Sequence, residues 1–505
     1  MTMYSKTPLA QTLAAGISLG ALMLTGCMTV GPNFKPPATP TSDSYAQPGD
    51  IANNGQLRTD VGAKVLDDWW TLFQSPGLDK LMRQAIANNL TLEQARVHLA
   101  EARSAEKAQG GLLSADATAG YKRERANLNA FSGGTFSDFS IPGESFSFPT
   151  NPEYNLYSIG GSVSYNLDLF GGQRRLRESL RAQTDAQARE LDAAYLTLTG
   201  KVVEQVLTVA DANIQIQALK AIGDADRQDL DMIVKARKAG GATEADVAAA
   251  RQHLAMDSSA VPPQQQRLAA ARHAMAVLVG KAPSEFEAPD FDAKSGALPP
   301  SLPVSIPSEL VHERPDILEA EAKLHEATAE VGVATANLYP NISLTGAISQ
   351  DALTPQTIFA AASNSYNFGP SLTVPLFHSG ELKAKKREAE KAARAALLNY
   401  EETVLEAFAQ VDDSLQAIAH DNQAYLDEQR VLDQAQARLD MVRKSFNAGG
   451  ATARQLLAAQ KGMVQAQLDL QQNGTGRYSD AARLMLAVAH VPPGAAAGKA
   501  EPKGE

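Results

Sequence analysis

Between Gln173 and Lys238, and again between Glu381 and Asn447, the chain contains no proline. Gly200 and Gly223 are the only glycines of the first stretch, and the second has none. Proline removes a helical hydrogen bond and clashes with the preceding turn, and glycine weakens a helix. Their near absence over roughly 65 residues predicts two rods of about 100 Å at ~1.5 Å per residue. An ordinary globular helix is three to four turns long. In the second rod Val404, Phe408, Val411, Leu415, Ile418 and Tyr425 recur at spacings of four, three or seven. Leu191, Tyr195, Leu198, Val202, Val209, Ile216 and Leu219 do the same in the first. Such seams predict helices packed side by side as coiled coils.

The two rods belong to a duplication. Leu99-Ala100-Glu101-Ala102 aligns with Leu324-His325-Glu326-Ala327 at an offset of 225. Leu169-Phe170 aligns with Leu376-Phe377 at 207, and Ala239-Gly240-Gly241-Ala242-Thr243 with Ala448-Gly449-Gly450-Ala451-Thr452 at 209. A long unit found twice is not a solenoid of short repeats. Each copy reads helix, strand, loop, strand, very long helix, tight turn, helix. The opening helices are expected over Leu78–Leu112 and Ser308–Leu338. At the tight turns, glycine releases the chain from the helix, and Thr243 and Thr452 can cap the returning one. Pro262-Pro263 is expected to break the first return helix, and Asn473-Gly474-Thr475-Gly476 to weaken the second.

The strands alternate. Tyr157, Ile159, Gly161, Val163, Tyr165, Leu167 and Leu169 share one face, with Ser158, Gly160, Ser162, Ser164, Asn166 and Asp168 on the other. Tyr366, Phe368, Leu372, Val374 and Leu376 alternate with Asn367, Gly369, Ser371 and Thr373, and Ile342, Leu344 and Ile348 with Ser343, Thr345 and Ser349. One apolar and one small polar face suits a membrane barrel with lipid outside and water inside, although a soluble sandwich gives the same pattern. Four strands cannot close a barrel of useful width, whereas a trimer would supply twelve. The Phe-rich loop from Ala130 to Asn155 reads as extracellular.

Cys27 is the only cysteine, and it ends Leu24-Thr25-Gly26-Cys27 behind a short apolar stretch flanked by Lys6. That stretch is too short to span a bilayer. Small residues before a lone cysteine resemble the lipobox of bacterial lipoproteins. There the thiol takes a diacylglyceryl group, the chain is cut before the cysteine, and the new amine is acylated. An ordinary signal peptide with an incidental cysteine is the alternative. Two or more acyl chains anchor stably where one does not. Met28 in place of an aspartate matches sorting to the outer membrane.

Net charge is −11, and removing residues 1–26 takes away only Lys6, leaving −12. An acidic chain argues against nucleic acid as a partner. No segment after Cys27 supplies ~20 consecutive apolar residues, so any crossing of a bilayer must use strands. Motifs for catalysis are lacking. Gly16-Ile17-Ser18-Leu19-Gly20 lies in the signal stretch, Gly280-Lys281 lacks the earlier phosphate-loop glycine, and the eight histidines fall at no metal-ligand spacing. Neither an enzyme nor a metal or cofactor protein is expected.

Taken in order, several short motifs resemble the TolC-like outer membrane efflux family, in its NodT-type lipoprotein branch. They are Val30-Gly31-Pro32-Asn33-Phe34-Lys35-Pro36-Pro37, Trp69-Trp70-Thr71-Leu72-Phe73, Leu169-Phe170-Gly171-Gly172, Glu313-Arg314-Pro315-Asp316-Ile317, Leu338-Tyr339-Pro340-Asn341-Ile342-Ser343 and Val374-Pro375-Leu376-Phe377. The resemblance covers almost everything from Cys27 to Val491. It implies a mainly α chain with a membrane β-barrel: a homotrimer whose twelve-stranded barrel in the outer membrane continues as a twelve-helix α-barrel through the periplasm. It also implies passive export, a periplasmic adaptor, and an inner-membrane pump of the RND type. The same fold serves type I protein secretion, and a non-channel envelope lipoprotein built on coiled coils is a further alternative.

The expected organisation is a lipoprotein signal peptide at 1–26 and a lipidated extension at 27–77. The first repeat follows at 78–280, with strands near 115–129 and 155–170. A Pro-rich equatorial linker at 281–307 leads to the second repeat at 308–490, with strands near 340–350 and 365–377. A C-terminal tail occupies 491–505. Cys27 is the expected lipid attachment site, carrying N-acyl and S-diacylglycerol groups. The resemblance places the turns at the periplasmic tip, where the duct closes and the adaptor docks. Gly240, Gly241, Thr243, Asp246, Gly449, Gly450, Thr452 and Arg454 are the candidates. For the glycines, adaptor contact stands beside simple helix termination. For Asp246 and Arg454, a polar ring stands beside solvated turn charges. Gln455 and Ala458 occupy positions where relatives often carry aspartates, and Phe446 one where they carry tyrosine.

Overall fold

The computed structural model describes residues 29–38, 58–62, 68–109, 111–125, 138–141, 144–147, 153–289, 301–304 and 307–491. The strands are β1 (Arg58–Val61), β2 (Leu113–Arg125), β3 (Asp138–Ile141), β4 (Glu144–Ser147), β5 (Glu153–Asn166), β6 (Ser301–Val304), β7 (Asn341–Ala352) and β8 (Asn364–Thr373). The helices are α1 (Pro76–Asn88), α2 (Leu90–Ala108), α3 (Gly172–Lys238), α4 (Glu244–Ser259), α5 (Val261–Leu278), α6 (Pro307–Glu313), α7 (Pro315–Ala336), α8 (Glu381–Asn447) and α9 (Ala453–Val488). Both proline-free stretches are single helices of 67 residues. The chain divides into two units, one holding the described parts of 1–34, 104–181 and 325–394, the other those of 35–103, 182–324 and 395–505.

The first unit is built on one antiparallel sheet in the order β2-β5-β7-β8. Its register extends the sequence alternation to all four strands. Tyr121 faces Tyr157, Gly161 faces Ile348, and Ile348 faces Tyr366. Partners across an antiparallel ladder share a face. Ala117, Ile159, Val163, Leu344, Phe368 and Leu372 therefore join those aromatics on one side. Thr118, Ser162, Ser164, Ser343, Thr345 and Ser371 lie on the other. The strands hold 10 to 14 residues, the length that crosses a bilayer when tilted.

β5 and β8 stop short of their expected ends, while β7 runs on to Ala352, and polar turns explain the two early stops. After Asn166 its own Oδ1 accepts from Asp168 N at 3.0 Å, Asp168 takes φ 43° and Gly171 φ 77°. The Asp168 carboxylate then caps α3, accepting from Gln173 N at 2.8 Å and Arg174 N at 3.0 Å. β8 ends at Thr373, ahead of Pro375 and of Ser379 and Gly380 at positive φ. Phe170 stacks on Tyr339 at 4.7 Å, so two motifs from different copies meet below the sheet. Of the Phe-rich loop, the described residues form the β3–β4 backbone hairpin and the first three residues of β5.

The second unit is a helical core. Trp69, Trp70 and Phe73, on a short 3₁₀ turn, pack with Leu198, Val202, Val411, Leu415, Leu484 and Met485. Trp69 Nε1 donates to Thr199 Oγ1 at 3.3 Å. A Cβ on Gly200 would lie 2.6 Å from Leu486 Cδ1, so this glycine lets α3 and α9 close up. The coiled-coil seams are buried from Leu191 through Ile216 and from Val404 through Ile418, apart from the half-buried Phe408. β1 pairs in parallel with β6, joining a piece of the N-terminal extension to a piece of the Pro-rich linker, a pairing that the sequence reading did not contain.

Three helix expectations are corrected. The first opening helix is two, because Asn89 restarts it: its Oδ1 accepts from Leu92 N at 2.9 Å while its Nδ2 donates to Leu278 O at 2.9 Å. The second opening helix divides at Pro315, which has no amide to continue the ladder. The Asn-Gly-Thr-Gly run, by contrast, leaves α9 unbroken to Val488. Glycine costs about 1 kcal/mol in a helix and proline about 3, so only Pro262-Pro263 divides a return helix, at Ala260. Gly474 and Gly476 face Tyr425 and Asp421 closely.

Candidate functional site

Both long helices end in the same device. Gly241 N donates to Ala236 O at 2.8 Å and Gly240 N to Arg237 O at 2.9 Å. Gly450 N donates to Ser445 O at 2.8 Å and Gly449 N to Phe446 O at 3.0 Å. These paired bonds close a helix end through a residue in the left-handed region, here Gly240 at φ 81° and Gly449 at φ 79°. A Cβ at either position meets nothing within 4 Å, so backbone conformation, not crowding, requires glycine.

The return helices start on capping boxes. Thr243 N donates to Asp246 Oδ2 at 2.8 Å, and Asp246 N returns a bond to Thr243 Oγ1 at 3.2 Å. In the second copy Thr452 N donates to Gln455 Oε1 at 2.8 Å, and Gln455 N to Thr452 Oγ1 at 3.2 Å. The Thr243 hydroxyl and amide hold the Asp246 carboxyl below the usual carboxylate range, with Arg454 adding to the effect. Arg454 pairs with Asp229 at 3.8 Å, and Arg237 pairs with Glu244. Ala242 packs on Ile233, Val247 and Ala250, a small apolar cluster that steadies the first turn.

Two clusters of the helical unit escaped the sequence reading. Lys461 on α9 lies 3.0 Å from Asp226 of α3 and also pairs with Asp257 of α4. The two aspartates keep the Lys461 ammonium charged more firmly than in water. Asp480 on α9 is 5 % exposed. Burial first, then the neighbouring Asp421 carboxyl, pushes its pKa up to about 7, against the pull of Arg483. At the offset of 209, Asp421 and Asp480 correspond to Ala212 and Ala271. Comparing the two copies position by position was the signal that could have found them.

The sequence motifs otherwise serve packing. Arg314, 7 % exposed, donates to Ala487 O at 3.1 Å, Gln410 Oε1 at 2.9 Å and Asp316 Oδ1 at 3.0 Å, tying α7 to α8 and α9. Cys27 lies outside the described residues. Among those residues, no helix is long and apolar enough to cross a membrane, and no group of three acidic, histidine or cysteine side chains is placed to hold a metal ion.

The family model described as outer membrane efflux protein matches residues 81–281 and 306–490. The chain belongs to the outer membrane efflux protein family. This efflux protein is 26% identical to the probable outer membrane lipoprotein SilC of Salmonella typhimurium, over 88% of its own length and 91% of SilC. It is 28% identical to the pyoverdine export outer membrane protein OpmQ of Pseudomonas aeruginosa, over 90% and 95%. Among solved structures, the outer-membrane channel OprN superposes with a TM-score of 0.77 at 25% identity, over 91% of this chain and 98% of OprN. The Campylobacter jejuni CmeC outer membrane channel gives 0.77 at 20% identity, over 94% and 96%. The fold is TolC-like, and the protein is an outer membrane exit channel for efflux. The sheet, with one apolar and one small polar face, is its membrane part, and the Gly-Gly turns end its long helices.

Proposed function

We propose that this efflux channel works as a homotrimer, with one open duct shared by three copies. The observation that supports it most is the four-stranded sheet whose outer strands, β2 and β8, each leave one edge unpaired among the described residues. Hydrocarbon tolerates no open edge, and four strands are too few to surround water. Three sheets joined β8 to β2 give twelve strands, with Tyr366, Phe368 and Leu372 toward lipid and the Ser/Thr face toward the lumen. The large apolar side chains exposed on α8, Leu398, Leu405 and Met441, fit burial against the neighbouring copies.

On this reading the channel is passive. Energy comes from an inner-membrane pump of the RND type, joined through a periplasmic adaptor that contacts Gly240, Gly241, Gly449 and Gly450. Asp246 and Arg454 contribute to a polar ring that narrows the tip. Cys27 carries the N-acyl and S-diacylglycerol groups that anchor the chain in outer membrane lipid. Relatives named for pyoverdine export and for cation efflux are each 28% identical to this chain. A wide, wet lumen lined by small polar side chains accommodates such unlike cargoes, so the pump selects the substrate.

The test is detergent-purified full-length protein. Heat-modifiable trimers that conduct as single channels in planar bilayers support the reading, whereas a monomeric, non-conducting product overturns it. Palmitate labelling that disappears in Cys27→Ser supports the anchor.

A further inference from the structure

Five residues that follow Cys27 at close range are held against the barrel end of the chain. Arg175, in the first turn of α3 and 2 % exposed, directs its guanidinium at them. Nε donates to Val30 O at 3.1 Å, and Nη2 donates to Gly31 O at 3.3 Å and Asn33 Oδ1 at 2.7 Å. Its remaining nitrogen, Nη1, donates to Glu178 Oε2 at 2.7 Å. Val30 N donates to Phe170 O at 3.1 Å. At the far end Phe34 stacks on His325 at 4.3 Å and 12°, and His325 Nε2 lies 3.0 Å from Glu178 Oε1.

The fit is close at two glycines. A Cβ on Gly31, at φ 88°, would stand 2.5 Å from Gly332 Cα, and one on Gly171, at φ 77°, would stand 2.8 Å from Thr29 Cγ2. Gly31 and Asn33 themselves are exposed. Apolar burial therefore does little to hold this segment, and the buried guanidinium does most. Release of the segment would leave several desolvated Arg175 donors without acceptors, which a folded chain resists. The contacts fall at Phe170–Arg175, just past the end of β5, where the membrane-crossing pattern stops and the helical rod begins.

We infer that Val30–Phe34 is a docking strap, positioned by Arg175, that fixes the level at which the anchored N-terminus meets the membrane. The inference rests on the proposed acylation of Cys27. Only Met28 separates Cys27 from Thr29, and the two residue steps reach at most about 7 Å. With the strap docked, the acyl chains enter the bilayer beside the β5–α3 junction. With the strap loose, the tether lengthens and the sheet loses its fixed height relative to the lipid surface. A short tether raises the effective concentration of the sheet at the membrane where it must insert. The strap thus serves barrel insertion, and Arg175 is a positioning residue.

Two insertions in the full-length protein separate this role from simple packing. Six Gly/Ser residues between Met28 and Thr29 leave lipobox and strap intact but add about 13 Å of flexible tether. The same six between Ala38 and Thr39 lie beyond the strap and leave its link to the lipid unchanged. The readout is the fraction of heat-modifiable, folded protein in outer membranes at equal expression, with the acyl mass of the N-terminal peptide measured alongside. The upstream insertion should lower that fraction at least fivefold and the downstream one by less than twofold. Arg175→Met should match the upstream insertion with helical circular dichroism unchanged, and Arg175→Lys should recover part of the loss. Equal behaviour of the two insertions with acyl mass present, or wild-type insertion by Arg175→Met, overturns the strap alone. Absence of acyl mass on the wild-type chain overturns the anchor reading itself, and the strap with it.

Discussion

Lys461 Nζ stands 3.0 Å from Asp226 Oδ1 and links the return helix of the second repeat to the long helix of the first. Asp257 completes the cluster from α4. The repeat-equivalent positions are Gln252, Ala435 and Ala466, so the tie is made once in each chain and has no pseudo-symmetric copy.

Removing the cation should cost more than removing the whole cluster. Asp226 is 9 % exposed, and Lys461→Met leaves its carboxylate beside Asp257 with no counter-charge. A loss of about 1–2 kcal/mol is expected at pH 7, after allowing for the water that reaches the lysine end. Adding Asp226→Asn and Asp257→Asn to Lys461→Met should recover most of it. Urea or thermal melts of the purified protein measure both steps, and equal stability of the single and triple variants would refute the argument.

Asp480 predicts a pH-dependent stability of definite sign. Its carboxyl in the folded chain titrates at about 7, raised by burial and by Asp421, above its unfolded value near 4. The folded state therefore binds more protons, and stability falls as pH rises from about 4 to 7 and then levels. Asp480→Asn has no such loss. It should melt with the wild type at pH 4 and well above it at pH 8, by on the order of a few kcal/mol. Parallel pH profiles for the two proteins would show that Asp480 titrates normally.

Most of the architecture was legible because it rests on repeated, periodic features. The absence of proline marked both rods, and alternation in β5, β7 and β8 marked a two-faced sheet whose register joins Ile348 to Tyr366. β2 was harder, since Leu113–Arg125 mixes Ala, Gly and charged residues and takes its face from Tyr157 and Ile159 across the ladder. β1 and β6 were invisible, as four residues carry no usable period and pair 243 positions apart. At the turns, Gly240 and Thr243 were legible from local chemistry. Lys461 and Asp480 were not, because their meaning comes from partners on other helices.

The glycines of each turn should separate by conformation. Gly240→Ala and Gly449→Ala place a Cβ on a residue at positive φ, which costs about 1 kcal/mol or more. Gly241→Ala meets only Ala236 O at 3.6 Å and should leave stability within about 0.5 kcal/mol. Hydrogen exchange should accelerate where α3 ends and α4 starts in Gly240→Ala, and where α8 ends and α9 starts in Gly449→Ala, and stay unchanged in Gly241→Ala. A loss of adaptor binding in Gly241→Ala at normal stability would then isolate the contact role from the structural one.

Asp246 carries two roles that the second repeat helps to separate. There Gln455 builds the same capping box without charge, with Thr452 N donating to Oε1 at 2.8 Å. Asp246→Gln should therefore keep the start of α4, whereas Thr243→Ala should lose about 1 kcal/mol with the cap. The Asp246 carboxyl is held low by Thr243, so its share of stability is present above about pH 4 and fades as pH falls through the lower folded value. The Gln variant should show no such acid dependence. Because α4 still starts correctly in Asp246→Gln, any change in the tip reports charge alone. If Asp246 belongs to a polar constriction, closed-state conductance in planar bilayers should rise at unchanged melting temperature, and rise further with Arg454→Ala. An unchanged leak in both variants would confine Asp246 to capping and Arg454 to its pair with Asp229.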